Sequence, residues 1–176
     1  MRISRLIAVL AAAVLTAAAG FFAYRSMVAD DSSSVAMPTE LSRLRLPDLS
    51  GKEQELAQWR NSILILNFWA TWCEPCREEV PALIRVQAAN ASKKVRIVGI
   101  AIDSSDKVRQ FANEYRIDYP LLVGGMEVID LTRKLGNTAG GLPYTVVIDA
   151  SGKVVVKHLG RISEAQLEQA ILLARG

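Results

Sequence analysis

The chain has 176 residues, 21 Lys and Arg against 18 Asp and Glu, a formal charge of +3 and 51% hydrophobic residues. Its basic residues are scattered among acids rather than clustered, so there is no electrostatic footprint for nucleic acid and no such partner is expected. Two cysteines and one histidine are too few for a four-ligand structural zinc site, and neither a metal nor an organic cofactor is expected.

Met1, Arg2 and Arg5 make a basic start, and the 19 residues from Leu6 to Tyr24 carry no charge. As a helix such a run reaches about 30 Å, the thickness of a bilayer core. Ala17, Ala18 and Ala19 also suit a cleavable signal peptide, but the apolar stretch continues through Phe21, Phe22 and Tyr24, longer than a usual signal core. Residues 1–29 are therefore expected to be an uncleaved signal anchor with transmembrane segment 6–24, a signal peptide being the alternative. Basic residues before the run and Asp30-Asp31 after it predict a cytoplasmic N-terminus, hence a single-pass inner-membrane protein with its C-terminal domain in the periplasm. Residues 30–38 are small and polar, a linker composition, and residues 39–176 form one domain of common size.

Within that domain, Arg43 to Leu46 and Glu53 to Leu56 flank a turn and read as a short hairpin or loose extended pair. Ile63 to Phe68 is an apolar run fit for a buried strand, and Cys76 to Ala91 reads as a helix interrupted by Pro81, with Val80, Leu83, Ile84 and Gln87 on one inward face. Val95 to Ile102 is a second apolar strand. Ser104 or Ser105 caps a helix over Asp106 to Tyr115. A short strand follows at Tyr119 to Val123, then a helix from Met126 to Leu135 that stops at Gly136. Tyr144 to Ile148 and Val154 to His158 form a hairpin across Asp149-Ala150-Ser151-Gly152, and an amphipathic helix closes the chain over Ser163 to Ala174. This order predicts an α/β domain, a mixed sheet with helices on both faces.

The only two cysteines lie in Asn67-Phe68-Trp69-Ala70-Thr71-Trp72-Cys73-Glu74-Pro75-Cys76, directly after the first strand. Two intervening residues on a first helical turn bring both sulfurs within bridging distance, and the N-terminal thiol meets the helix dipole that favours a thiolate. Thiolate is the form that attacks disulfides. A purely structural bridge is the competing reading, but one closing so small a loop constrains the unfolded chain very little. Cys73 is the expected exposed nucleophile and Cys76 the shielded resolving thiol. Pro75 stiffens the turn, while Glu74 sets a carboxylate beside the nucleophile and opposes the dipole.

The Phe-Trp-Ala-x-Trp-Cys-x-x-Cys pattern resembles the thioredoxin superfamily, and the longer form resembles its membrane-anchored TlpA/ResA-like branch. Gly141-Leu142-Pro143-Tyr144 before a strand matches the second motif of that superfamily. The resemblance implies a thioredoxin-like fold and a cis Pro143 that faces the dithiol, keeps the strand from covering Cys73 and lets the backbone of Leu142 pair with an incoming peptide. It further implies that Glu79, three residues after Cys76, is an acid/base for the thiol pair; thioredoxin's own buried Asp is here Asn67, an amide that exchanges no proton at ordinary pH. Trp69 and Trp72 are expected at the rim, with the core as the alternative for Trp69, and His158 at a surface or edge without a partner. The function implied is thiol-disulfide exchange on exported proteins, most simply reduction, with a membrane electron donor of the DsbD or CcdA type and a place in cytochrome c maturation or copper-site assembly. Related cytochrome c maturation proteins often carry a Glu soon after the proline, where this chain has Tyr144-Thr145. A disulfide oxidant and a redox-inert peptide-binding module or chaperone are the alternatives.

Overall fold

The computed structural model of the protein describes residues 38–176, in the order α1 (Thr39–Ser42), β1 (Arg45–Pro47), β2 (Glu53–Glu55), β3 (Ile63–Trp69), α2 (Glu74–Asn90), β4 (Val95–Ile102), α3 (Ser105–Tyr115), β5 (Leu121–Gly124), α4 (Glu127–Lys134), β6 (Tyr144–Ile148), β7 (Val154–Leu159) and α5 (Glu164–Ala174). The anchor expected over residues 6–24, and all of the linker but Pro38, lie outside the described residues. Among the described residues no helix is long and apolar enough to cross a membrane.

The apolar run of β3 is buried at every position and forms the middle of a five-stranded sheet ordered β5-β4-β3-β6-β7. Strands β3, β4 and β5 are parallel, joined by helical crossovers, whereas β6 pairs antiparallel with β3 and β7 antiparallel with β6. A strand buried on both faces needs no polar alternation, and β3 serves two cores at once. Ile63, Ile65 and Trp69 pack with α2, α3 and α5, while Leu64, Leu66 and Phe68 face α4 and the segment before β3. Asn67 falls on the first of these faces by its odd position. The mixed sheet therefore carries helices on both sides, as expected.

Three local details differ from the sequence expectation. Helix α2 begins at Glu74 rather than Cys76, with Cys73 as its N-cap, because a proline at the second helical position gives up a donor that has no partner there anyway. The helix also runs unbroken past Pro81. That residue is exposed, so the carbonyl it leaves unbonded faces water. Strand β5 starts at Leu121, and Tyr119 is instead a buried residue ahead of it.

Because β5 pairs with β4 only from Gly99 onward, the Ile97 N–H has no neighbour strand on that side; the Gln87 side chain accepts it at 2.8 Å, which explains a buried glutamine on α2. The β6–β7 turn is held by Asp149, whose Oδ1 accepts from Ser151 N and Lys153 N, each at 2.9 Å. Asp48-Leu49-Ser50-Gly51-Lys52, between β1 and β2, repeats the same arrangement, with Asp48 Oδ1 accepting from Ser50 N at 2.8 Å and Lys52 N at 3.1 Å. The Ser50 hydroxyl and the Gln54 amide hold the Asp48 carboxyl at about 2.

Candidate functional site

Strand β3 ends beneath the N-terminus of α2, and the loop between them carries the dithiol. Cys73, in an extended conformation (φ −86°, ψ 105°), and Cys76 in the first turn are joined by a disulfide. The loop is fastened from the side. The Thr71 hydroxyl donates to Asp103, which also accepts the Ser104 N–H at 2.7 Å and faces Lys107 at 3.4 Å. Burial pushes the Asp103 carboxyl up, but its bonds to Thr71, Ser104 and Lys107 outweigh this and hold it below the usual carboxylate range. Asp103 thus stays an acceptor, and Ser104 stands at the N-cap of α3 without its hydroxyl capping the helix.

Cys73 is not the exposed residue expected from the sequence. It is 6% accessible and Cys76 1%, because Cys73 sits in a groove walled by Trp72, Pro75 and Leu142 and its sulfur is bonded to Cys76. Of the two cysteines, Cys73 lines the groove and Cys76 does not.

Glu79 lies one turn beyond Cys76 and is 1% exposed. Its Oε1 accepts from Asn67 Nδ2 at 2.7 Å and its Oε2 from the Ile162 N–H at 2.9 Å. Asn67 Nδ2 also reaches Thr145 Oγ1 at 3.2 Å, so one network joins α2, β3, β6 and the turn before α5. Burial pushes the Glu79 carboxyl up to about 7, even though the two donors and the Arg161 cation pull it down. A carboxyl with that value exchanges its proton near neutrality. Tyr119 lies close by, its phenol pushed far up by burial and by the Glu79 and Asp118 carboxylates.

The Leu142–Pro143 bond is cis, as the resemblance implies. Pro143 O accepts from Gly160 N at 2.8 Å, whereas neither backbone group of Leu142 has a backbone partner among the described residues. Leu142 lines a groove of about 480 Å³ with apolar walls from Trp72, Pro75, Ile102, Met126, Ile129 and Leu142 itself. Trp72 and Met126 are 69% and 73% exposed, a large apolar display at the mouth of a dithiol site. The loop that carries Leu142 is braced by Asn137, a buried residue that sequence reasoning missed. Its Nδ2 donates to Gly141 O at 2.8 Å, and its Oδ1 accepts from Gly141 N at 3.2 Å. The asparagine beside Gly136 was the available signal.

On the other side of Trp72, a polar cleft of about 470 Å³ is lined by Glu74, Arg77, Glu78 and Tyr115. Glu74 is exposed there. Arg77 donates to the Tyr115 hydroxyl at 3.3 and 3.2 Å, and Tyr115 stacks on Phe111, which in turn packs 4.9 Å from Trp69. Trp69 is core rather than rim, 1% exposed, with the only unpartnered buried side-chain polar atom among the described residues, its Nε1. Gly99 makes room for it: a Cβ there would lie 3.1 Å from that nitrogen and 2.6 Å from Leu121. His158 does have a partner, the carbonyl of Arg161 at 3.1 Å, which the sequence could not reveal because the contact depends on a turn conformation.

Residues 38–157 match the AhpC/TSA family. Among curated relatives, the thiol-disulfide oxidoreductase ResA of Bacillus thuringiensis (strain Al Hakam) is 33% identical over 88% of this chain and 87% of its own length. Among solved structures, a thiol:disulfide interchange protein of the thioredoxin family from Chlorobium tepidum TLS superposes with a TM-score of 0.70 at 33% identity, covering 80% of this chain and 99% of that one. A putative thiol:disulfide interchange protein DsbE from Chlorobium tepidum gives 0.68 at 28% identity, over 77% and 95%. With the dithiol at the head of α2 and a cis Leu142–Pro143 bond next to the groove residue Leu142, these similarities make the chain a member of the AhpC/TSA family and a ResA-like protein thiol-disulfide oxidoreductase of the thioredoxin superfamily.

Proposed function

We propose that the protein reduces disulfides in exported proteins, working from the outer face of the inner membrane on an N-terminal anchor. The observation that carries the reading is the juxtaposition of three parts: a dithiol at a helix N-terminus, a groove with the free backbone of Leu142 beside it, and a proton-exchanging carboxyl one turn beneath. An extended segment of substrate pairs with Leu142 and lays its disulfide over Cys73, with Trp72 and Pro143 bounding the site. The Cys73 thiolate attacks one substrate sulfur, forming a mixed disulfide and expelling the other sulfur as a thiolate that takes up a proton. Cys76 then loses its proton, with Glu79 as the acceptor, and attacks the Cys73 sulfur. The second substrate thiolate leaves, so the substrate gains two electrons and two protons while Cys73 and Cys76 become a disulfide. Glu74 and Pro75 tune the pair, the first by charge and the second by stiffness.

A reductase in an oxidising compartment must be recharged, so a membrane dithiol donor of the DsbD or CcdA type completes the cycle by reducing the Cys73–Cys76 bridge. Apocytochrome c and copper-site proteins are fitting substrates because each holds cysteines that must be reduced before the metal or haem is attached. The test is catalytic reduction of insulin disulfides by the protein in the presence of dithiothreitol. Wild type is expected to accelerate it and Cys73→Ser to be inert; equal rates for the two would reject the assignment.

A further inference from the structure

The chain's single histidine is tied to the dithiol site through a turn. His158 Nε2 lies 3.1 Å from the carbonyl oxygen of Arg161. A carbonyl only accepts, so that nitrogen carries the hydrogen. The contact closes the turn from Leu159 to Ile162, whose apex is Gly160 at φ +94°, a conformation that glycine adopts without strain. Two backbone donors of the turn serve the site: Gly160 N–H binds Pro143 O at 2.8 Å, and Ile162 N–H binds Glu79 Oε2 at 2.9 Å. Register adds a second link. Thr145 stands opposite both Asn67 and His158, so the imidazole is the outer member of the cross-strand row that contains the Asn67–Thr145 bond.

We propose that His158 is a positioning residue, which through the Arg161 carbonyl holds the Leu159–Ile162 turn in the shape that presents the Ile162 N–H to Glu79. The inference rests on the reading of Glu79 as the proton acceptor for the dithiol. Without the latch, the glycine at the apex frees the turn to open, and Glu79 keeps only the Asn67 donor. A buried carboxylate with fewer donors is harder to ionise. The other titratable or charged groups that act on Glu79 are the Arg161 cation from the turn and the Tyr119 phenol ahead of β5; Arg161 also leans toward Glu78 at 3.6 Å. Opening the turn withdraws Arg161 as well, which acts in the same direction.

The test compares His158→Leu, His158→Gln and Glu79→Gln in the full chain, with two readouts: hydrogen exchange of the Ile162 amide in the oxidised protein, and the pH profile of Cys73 alkylation in the reduced protein. His158→Leu is expected to lose protection at Ile162 and to move the Glu79-dependent limb of the profile to higher pH. His158→Gln keeps an N–H donor and is expected to restore both. Should the Leu variant not fold, His158→Thr, β-forming but too short to reach the carbonyl, is judged by the same readouts. Unchanged protection at Ile162, or lost protection with an unchanged profile, overturns the latch. A profile that survives Glu79→Gln overturns the reading beneath it, whereas one that needs Glu79 and ignores His158→Leu overturns the latch alone.

Discussion

Asn67 Nδ2 lies 2.7 Å from Glu79 Oε1 in the interior, and that bond ties the strand leading into the dithiol to the helix that follows it. An amide at position 67 cannot take a proton, so of this bonded pair only the Glu79 carboxyl can exchange one. The two donors on Glu79 orient it without fully offsetting the cost of burial, which leaves its proton loosely held near neutral pH. A fully satisfied carboxylate would be a poor base; one buried with fewer donors would be a poor acid.

Glu79 also makes stability depend on pH, with a definite sign. Unfolded, the carboxyl ionises near 4.5, and folded it ionises near 7. Between these values the native state holds a proton that the unfolded state has released, so stability falls as pH rises through the window. The full drop is about 3 kcal/mol. Asp48, Asp103 and Asp149 are shifted downward, so their contributions change only at lower pH. Denaturant titrations of the oxidised protein from about pH 5 to about pH 8 are expected to show the decline in wild type and not in Glu79→Gln. A flat wild-type curve would rule out the raised carboxyl.

The two thiols differ in access, and trapping measures the difference. Cys76→Ser leaves Cys73 able to attack through the groove but unable to release, so mixed disulfides with protein partners are expected to accumulate. Cys73→Ser leaves only a thiol that does not line the groove and is expected to trap nothing. Non-reducing electrophoresis of the two variants reads the outcome, and equal trapping would reverse or abolish the division of labour.

Asn137 links loop geometry to substrate affinity. Replacing it by Ala leaves Gly141 N–H and C=O without their partner inside the protein, at a cost of about 2–3 kcal/mol in stability. The adjacent Leu142 is then held less firmly. For a protein substrate, KM is expected to rise more than kcat falls, while a small alkylating reagent that needs no groove reacts at the wild-type rate. If KM is unchanged, the brace matters only to folding.

Much of the fold was legible because its signals are local: apolar runs for β3 and β4, Ser163 ahead of the last helix, and Asp149 through Gly152 for the final turn. The two halves of the site were legible as motifs, Cys73 to Cys76 and Leu142-Pro143. What the sequence hid depends on register and on packing between distant segments. Asn67 meets Thr145 only because β3 and β6 pair at that step, and Ile162 meets Glu79 only because the turn after β7 folds back. Trp69 was expected at the rim but lies in the core, because β3 is buried on both sides and carries no alternation that would have placed it. The exposure of Cys73 was overestimated because the groove that holds it is walled in part by distant segments, at Ile102, at Met126 and Ile129, and at Leu142.

Direction of electron flow turns on how strongly the reduced form is stabilised. Cys73 caps α2, where the helix dipole and free N–H groups favour its thiolate. Glu74, in the first turn, sets a negative charge beside it and opposes that effect, although water screens an exposed carboxylate and Arg77 shares its cleft. The thiolate is therefore stabilised less than in a strong oxidant, and less stabilisation of the reduced form lowers the potential. The midpoint is expected at or under roughly −200 mV, in the range of reductases, and Glu74→Gln is expected to raise it by about 15–30 mV. Equilibration against glutathione or dithiothreitol buffers, followed by the fluorescence of Trp69 and Trp72, measures both. A wild-type value near about −120 mV, that of a dedicated oxidant, would overturn reduction as the physiological direction while leaving the cysteine roles in place.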